Sequence, residues 1–106
     1  MIDLDRVIRS AVRSRKIYLG SKRTLDAARS GKAAVIITSS NCPDRLRRVI
    51  EYHTSLSGTP IWTYRGPSLE LGEACEKNFP VSALAVREIT EPELLRMVKE
   101  QGSEAD

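Results

Sequence analysis

The stretch Ala33-Ala34-Val35-Ile36-Ile37-Thr38 constrains the fold more than any other part of the sequence. Apolar and polar residues do not alternate along it, which is typical of a strand covered on both faces by other elements. Strands of this kind belong to sheets that carry helices on both sides. We therefore predict that this segment is the central strand of an α/β protein.

The rest of the chain supplies the other elements of such a sheet. Apolar periodicity and turn residues predict strands at 17–19, 61–64 and 81–86, and helices that begin near Asp3, Lys22, Asn41, Ser68 and Thr90. Strands that alternate with helices predict one three-layer α/β/α sandwich over residues 1–100. We expect its four-stranded sheet to be mixed. We expect residues 101–106 to form a short, acidic, disordered tail.

Two details of the helices follow from the same patterns. Asn41 or Cys42 is expected to cap the third helix, with Pro43 in its first turn. The apolar residues expected to face inward on that helix are Leu46, Val49, Ile50 and Leu56. Cys75 is expected to be a buried packing residue of the next helix.

Length, cysteine content and hydropathy exclude several classes of protein. With 106 residues and 41% hydrophobic content, the chain is long enough to form one core without disulfides or metal. Cys42 and Cys75 have no cysteine or histidine at metal-binding spacing, so we expect no disulfide, metal or cofactor, and a cytoplasmic location. No apolar run reaches the length of a membrane span, and charged residues interrupt any signal peptide. We therefore expect a soluble protein that is not exported.

Positive charge is concentrated in the first half of the chain. Residues 1–50 contain 12 of the 17 Lys and Arg residues but 4 of the 14 Asp and Glu residues. A basic half of this kind is the usual electrostatic signature of a nucleic-acid-binding protein, although arginine-rich solvated helices give the same count.

A short turn between the first strand and the second helix has the features of an anion-binding site. Gly20 allows a tight turn and the close approach of a ligand, and the hydroxyl of Ser21 is expected to cap the helix. Lys22 and Arg23 add charge at a helix N-terminus, where the helix dipole already favours phosphate. The alternative is an ordinary turn with solvated charges. We expect this turn and the one after the second strand to lie at one end of the sheet, where open α/β folds bind ligands.

Phe79 is the only phenylalanine of the chain and lies in the otherwise polar segment 76–80. An aromatic residue in such a segment either packs into the core or stacks on an unpaired base. The local sequence alone favours the core.

A catalytic alternative rests on Cys42 and Arg48, which have the Cys-x5-Arg spacing of a cysteine phosphatase. That phosphate loop needs consecutive backbone N–H groups, whereas Pro43 has none, and Asp44 would repel the anion. The sequence contains no Walker loop and no Gly-x-Gly-x-x-Gly motif, and its one histidine, His53, is assigned no role. A non-catalytic binding module is therefore favoured over a small phosphoryl-transfer enzyme.

Three segments together resemble the ribosomal protein L30e family of the archaeal and eukaryotic large subunit, within the L7Ae superfamily of RNA-binding proteins. They are Gly20-Ser21-Lys22-Arg23-Thr24, Ile50-Glu51-Tyr52 with Leu56-Ser57-Gly58, and Glu70-Leu71-Gly72 followed by Phe79. The resemblance covers residues 4–87. It implies a non-catalytic protein that binds a kink-turn-like internal loop of ribosomal RNA and lies beside other large-subunit proteins in the cytoplasm. It also implies a monomer outside the ribosome, with no membrane and no small-molecule substrate as partners.

The resemblance also implies which residues contact the RNA. The RNA-binding turn would contain Gly20, Ser21, Lys22 and Arg23. Asn41 would lie in the loop beside this turn. Phe79 would contact unstacked purines, which reverses the expectation from the local sequence. Glu76 stands where the family commonly has glycine.

Overall fold

A four-stranded sheet with four helices forms the part of the chain that the computed structural model describes, namely residues 4–89 and residue 96. In chain order the elements are α1 (Leu4–Arg13), β1 (Ile17–Leu19), α2 (Ser21–Ser30), β2 (Val35–Thr38), α3 (Asp44–Ser57), β3 (Ile61–Thr63), α4 (Ser68–Ala74) and β4 (Ala83–Val86). The predicted cap Asp3, the predicted helix from Thr90 and the predicted tail at 101–106 lie outside the described residues.

The sheet is mixed, as predicted. Its strand order is β1-β4-β2-β3, with β4 antiparallel to both β1 and β2, and β2 parallel to β3. The carboxyl ends of β1, β2 and β3 therefore meet the start of β4 at one edge of the sheet. We call this edge, formed by Gly20 and by residues 39–41, 64–67 and 80–82, the loop edge.

The central strand is covered on both faces, which confirms the three-layer prediction. All four residues of β2 are buried, and its three apolar residues alternate between two separate hydrophobic clusters. Val35 and Ile37 pack in the cluster that contains residues of α1 and α4, whereas Ile36 packs in the cluster that contains residues of α2 and α3. Because successive side chains of a strand point to opposite faces, helices on each side bury one half of them.

Small residues bring α2 close to the sheet. Ala27 and Ala28 of α2 pack in the same cluster as Ala83 and Ala85 of β4. Alanine side chains leave little volume between a helix and a strand, so the two backbones approach closely. This packing holds the N-terminus of α2 beside the loop edge.

Two helices begin differently from the prediction. Gly20, not Ser21, is the N-cap of α2, because the Gly20 carbonyl already accepts the first helical hydrogen bond, from the Thr24 amide at 3.0 Å. Pro43, with an extended ψ of 135°, is the N-cap of α3, so neither Asn41 nor Cys42 caps that helix. No side-chain cap hydrogen bond is present at the start of either helix.

The inward face of α3 is narrower than predicted. Ile50 is fully buried and Leu46 packs against the same cluster, but Val49 is 37% exposed and Leu56 is 73% exposed. The position expected for Leu56 is filled by Thr54, whose hydroxyl donates to the Ile50 carbonyl at 2.9 Å. A threonine can occupy this buried face of α3 because its hydroxyl is hydrogen-bonded within the helix. Cys75 is fully buried, as predicted.

Candidate nucleic-acid interface

The sheet topology brings the turns after β1 and β2 to the loop edge, which confirms that part of the prediction. The Gly20 amide donates to the Ala83 carbonyl at 3.1 Å, and the Ser39 amide donates to the Ser82 carbonyl at 2.9 Å. Because β1 and β2 flank β4, and neighbouring strands lie about 4.8 Å apart, the two turns are separated by about 10 Å. This distance is within the reach of one nucleic-acid segment.

Gly20 has a backbone conformation that side chains do not tolerate. Its φ of 99° and ψ of 160° lie in a region that is essentially restricted to glycine. Its carbonyl accepts hydrogen bonds from both the amide and, at 2.7 Å, the hydroxyl of the buried Thr24, so the turn is firmly held. A Cβ on Gly20 would meet no atom within 4 Å. The glycine is therefore needed for its conformation, and the outer side of the turn is open to a ligand.

The start of α2 presents positive charge to solvent. Since the first helical hydrogen bond comes from the Thr24 amide, the amides of residues 21–23 have no acceptor within the helix. Lys22 and Arg23 are exposed, no acidic residue lies in the first turn, and neither side chain forms an ion pair within residues 4–89. Ser21 is exposed in the same turn. Backbone amides, helix dipole and side-chain charge thus all favour an anion here.

Asn41 is held in one orientation by its amide oxygen. Oδ1 accepts hydrogen bonds from the Ser39 hydroxyl at 2.9 Å and from the Ser68 backbone amide at 2.8 Å. Because a backbone N–H only donates, the atom facing Ser68 must be the oxygen. The side-chain amide group therefore directs its two N–H donors away from the protein contacts. Asn41 thus satisfies the start of α4 while it presents donors at the loop edge.

Phe79 is half exposed and belongs to neither hydrophobic cluster, so the expectation of a core position is wrong. Its side chain is 48% accessible to solvent. The backbone of its loop lies directly against α4, where a Cβ on Gly72 would collide with the Phe79 carbonyl oxygen. The ring thus lies outside both clusters, while the backbone of its loop contacts α4.

The ends of the Phe79 loop are tied to the same helix. The Lys77 amide donates to the Gly72 carbonyl at 3.0 Å, and the Val81 amide donates to the Ser68 carbonyl at 2.9 Å. Glu76 opens the loop with a left-handed φ of 62°, a conformation that glycine adopts more readily. The loop is thus anchored on both sides, with its aromatic side chain turned partly toward solvent.

Cys42 lacks the properties of a phosphatase nucleophile. It is buried, and its Sγ donates to the Pro43 carbonyl at 3.8 Å. Burial raises the pKa of this thiol, although the nearby Arg47 opposes that effect. A catalytic cysteine needs a lowered pKa, because the thiolate is the nucleophile. Cys42 is therefore a packing residue at the start of α3.

Within the described part of the chain, no group of three or more His, Cys, Asp or Glu side chains is arranged to hold a metal ion. None of the helices in that part combines the length and the apolar composition needed to cross a bilayer.

Comparison with known proteins identifies the family of this fold and surface. The model of the ribosomal protein L7Ae/L30e/S12e/Gadd45 family matches residues 3–96. The chain belongs to this family. Among its relatives is the large ribosomal subunit protein eL30 of Methanothermobacter thermautotrophicus, which is 41% identical over 97 residues, or 92% of this chain and 99% of the relative. The protein of the same name from Methanocaldococcus jannaschii is 36% identical, over 97% of this chain and 94% of the relative.

Solved structures show the same L7Ae/L30e-type fold. A 15.5 kD RNA-binding protein of Giardia lamblia matches with a TM-score of 0.74 at 20% identity, over 95% of this chain and 82% of that one. A Bacillus halodurans C protein of unknown function matches with a TM-score of 0.76 at 16% identity, over 97% and 99% of the two chains. At these identities the likeness concerns the fold alone.

In this L7Ae/L30e-family chain, Arg47 supports the loop edge in a way that the sequence analysis missed. Its guanidinium donates to the hydroxyls of Thr38 and Thr63, the last residues of β2 and β3. Its Nε also lies 3.4 Å from Oε1 of Glu51. Thr38 and Thr63 are paired in register, and the signal that could have revealed Arg47 is a threonine at the end of two neighbouring strands.

Asp5 joins α1 to the loop edge, and this contact was also missed. Its carboxylate accepts a hydrogen bond from the Tyr64 hydroxyl at 2.6 Å and pairs with Arg65 at 2.6 Å. The hydrogen bond from Tyr64, followed by the contact with Arg65, lowers the pKa of Asp5 against the effect of its partial burial. Burial, with the Asp5 contact second, raises the pKa of Tyr64 to about 12. These residues are about 60 positions apart in the chain, so no local pattern connects them.

Proposed function

We propose that this chain is a structural protein of the large ribosomal subunit that binds ribosomal RNA at a kink-turn-like internal loop. Membership of the L7Ae/L30e family and the names of the archaeal relatives support the ribosomal part of this proposal. The protein would act in the cytoplasm, at the ribosome, and not as an enzyme. Its partners would be ribosomal RNA and neighbouring large-subunit proteins, and it would be a monomer outside the ribosome.

The observation that carries the RNA site is the basic start of α2 beside Asn41 at a single sheet edge. Lys22 and Arg23 would bind phosphates, together with the backbone amides of residues 21–23 and the hydroxyl of Ser21. The outward N–H groups of Asn41 would donate to acceptors on a base edge. Phe79, on a loop anchored to α4, would provide a stacking surface for a splayed base.

Salt-dependent binding tests this site. Binding of an RNA that contains a kink-turn-like internal loop is measured for the wild type and for Lys22→Ala/Arg23→Ala at several salt concentrations. Each phosphate contact contributes about 0.9 to the slope of log affinity against log salt, so two lost contacts should flatten it by about 1.8. The melting temperature should hardly change, because both side chains are exposed.

A matched control removes the same charge from the other end of α2. Arg29→Ala/Lys32→Ala changes one exposed residue in the last turn of α2 and one just after its C-cap Gly31, away from the loop edge. This variant should keep the wild-type slope apart from a small effect of net charge. An unchanged slope in Lys22→Ala/Arg23→Ala, or an equal change in the control, would remove the turn from the interface.

A further inference from the structure

The outer face of α1 carries an open groove with a basic lining. The groove has a volume of about 510 Å3, and its described lining residues are Arg6, Arg9, Ser10, Arg13 and Ser14. The buried residues of α1 lie on its other side and face the core. No residue of the sheet's loop edge lines this groove, so it is separate from the surface described above.

Arg9 and Arg13 are the two cations on which the inference depends. They are four residues apart, which places them on one helix face about 6 Å apart along the axis. Both are exposed, and neither forms an ion pair within residues 4–89. Arg6 takes part in a further contact and is not needed for the inference.

The acidic residue of α1, Asp5, makes its close contacts outside the groove, and Arg9 is the smallest of the influences that lower the Asp5 pKa. Asp5 is the only acid between Leu4 and Arg13, and its carboxylate binds the Tyr64 hydroxyl and the Arg65 guanidinium. These two partners follow β3 at the loop edge. The same contacts therefore place the first turn of α1 beside the loop edge, and the arginine row extends from there over about 10 Å of helix.

The lining favours a nucleic-acid backbone over a protein. Its described residues are all arginines and serines, the side chains that bind phosphate and sugar oxygens, and none of these described residues is apolar. The centre of a protein interface is, in contrast, depleted of charged residues. Arg9 and Arg13 also span the distance of about two backbone charges on one strand of a duplex, which lie about 3.4 Å apart along its axis.

We propose that the α1 groove is a second RNA-binding surface, which takes the sugar-phosphate backbone of the duplex that flanks the internal loop. This inference rests on the proposed function, since it needs that loop to be bound at the loop edge. Phosphate contacts carry no sequence information. The groove therefore adds affinity and salt dependence, and it orients the flanking duplex relative to the protein.

The test compares three RNAs, one double variant and one control variant in the full chain. The short RNA contains the internal loop closed by two short helices. In each of the two extended RNAs, a different one of these flanking helices is longer by about one turn. The variant is Arg9→Gln/Arg13→Gln, which removes two charges but keeps residues with similar helix propensity. Affinity is measured against salt, and melting temperature is measured for each protein.

We expect the wild type to bind one of the extended RNAs more tightly and with a steeper salt slope than the short RNA. Arg9→Gln/Arg13→Gln should lose this gain, with a slope lower by about 1.8 for two phosphate contacts. On the short RNA it should bind within about twofold of the wild type, as expected for exposed residues outside the contact. The control Arg29→Gln/Lys32→Gln, with the same change of charge, should keep the gain.

Three results would overturn the inference. The first is an absence of any gain from the extended RNAs in the wild type. The second is an equal loss in the control, which would indicate a general effect of net charge. The third is a lower melting temperature with unchanged RNA binding, which would show that the two arginines stabilise the fold and do not contact RNA. Failure of the proposed function would give a different result. In that case Lys22→Ala/Arg23→Ala would bind the short and the extended RNAs with the same affinity as the wild type.

Discussion

Replacing Phe79 with alanine should weaken RNA binding much more than it weakens the fold. Burying a whole phenylalanine side chain contributes about 1.5–3 kcal/mol, and truncating a fully buried one costs about 3–5 kcal/mol. Phe79 is 48% exposed and belongs to neither cluster, so its truncation opens no closed cavity in them. We therefore expect the free energy of unfolding to fall by about 1 kcal/mol, which lowers the melting temperature of a domain of this size by about 4–8 °C.

The effect on binding has a different origin. Stacking of one base on an aromatic side chain contributes about 1–3 kcal/mol, which corresponds to a loss of affinity of about 5- to 150-fold. Phe79→Trp should retain binding, because a half-exposed side chain on a loop has room for a larger ring. The assay is titration of the internal-loop RNA well below the melting temperature, together with thermal unfolding of each variant.

Leu56→Ala is the matched control for an exposed apolar truncation. Leu56 is 73% exposed near the end of α3, and its removal should change the free energy of unfolding by less than about 0.5 kcal/mol. RNA affinity should stay at the wild-type level. The reasoning on Phe79 fails if Phe79→Ala melts far below the wild type yet binds RNA almost normally, since the ring would then serve the fold.

Three further substitutions test the elements around the site. Gly72→Ala should lower the free energy of unfolding by about 1–3 kcal/mol and also weaken RNA binding, because its Cβ displaces the Phe79 backbone. A folded Gly72→Ala variant that binds RNA with wild-type affinity would contradict this. Glu76→Gly should raise the unfolding free energy by about 1 kcal/mol in denaturant titrations, since it relieves a left-handed φ. The lowered pKa of Asp5 contributes stability that is present above its unfolded value and is lost as the pH falls through the folded one. Between neutral pH and about pH 3, the free energy of unfolding should therefore fall less in Tyr64→Phe than in the wild type, as measured by denaturant unfolding at each pH. If it falls equally in both proteins, the Tyr64 contact is not the cause.

Local patterns were sufficient to predict the architecture. The apolar run that contains β2 predicted a strand covered on both faces, and the alternation of strands and helices predicted the three layers. Such patterns succeed because burial has a period of two along a strand and of 3.6 along a helix, and both periods are visible in one chain. The positions of Lys22 and Arg23 at a helix start were predictable for the same reason.

Contacts between distant parts of the chain were decided only by the tertiary structure. Asn41 or Cys42 was expected to cap α3, but the amide oxygen of Asn41 binds the Ser68 amide of another helix. The local sequence favoured a core position for Phe79 and the family resemblance favoured an RNA-binding loop; in the structure the Phe79 side chain is 48% exposed, on a loop whose backbone lies against Gly72. A hydrogen bond or a steric contact between residues far apart in sequence leaves no periodic trace, so the orientation of the side chains at the loop edge depends on how the helices pack against the sheet.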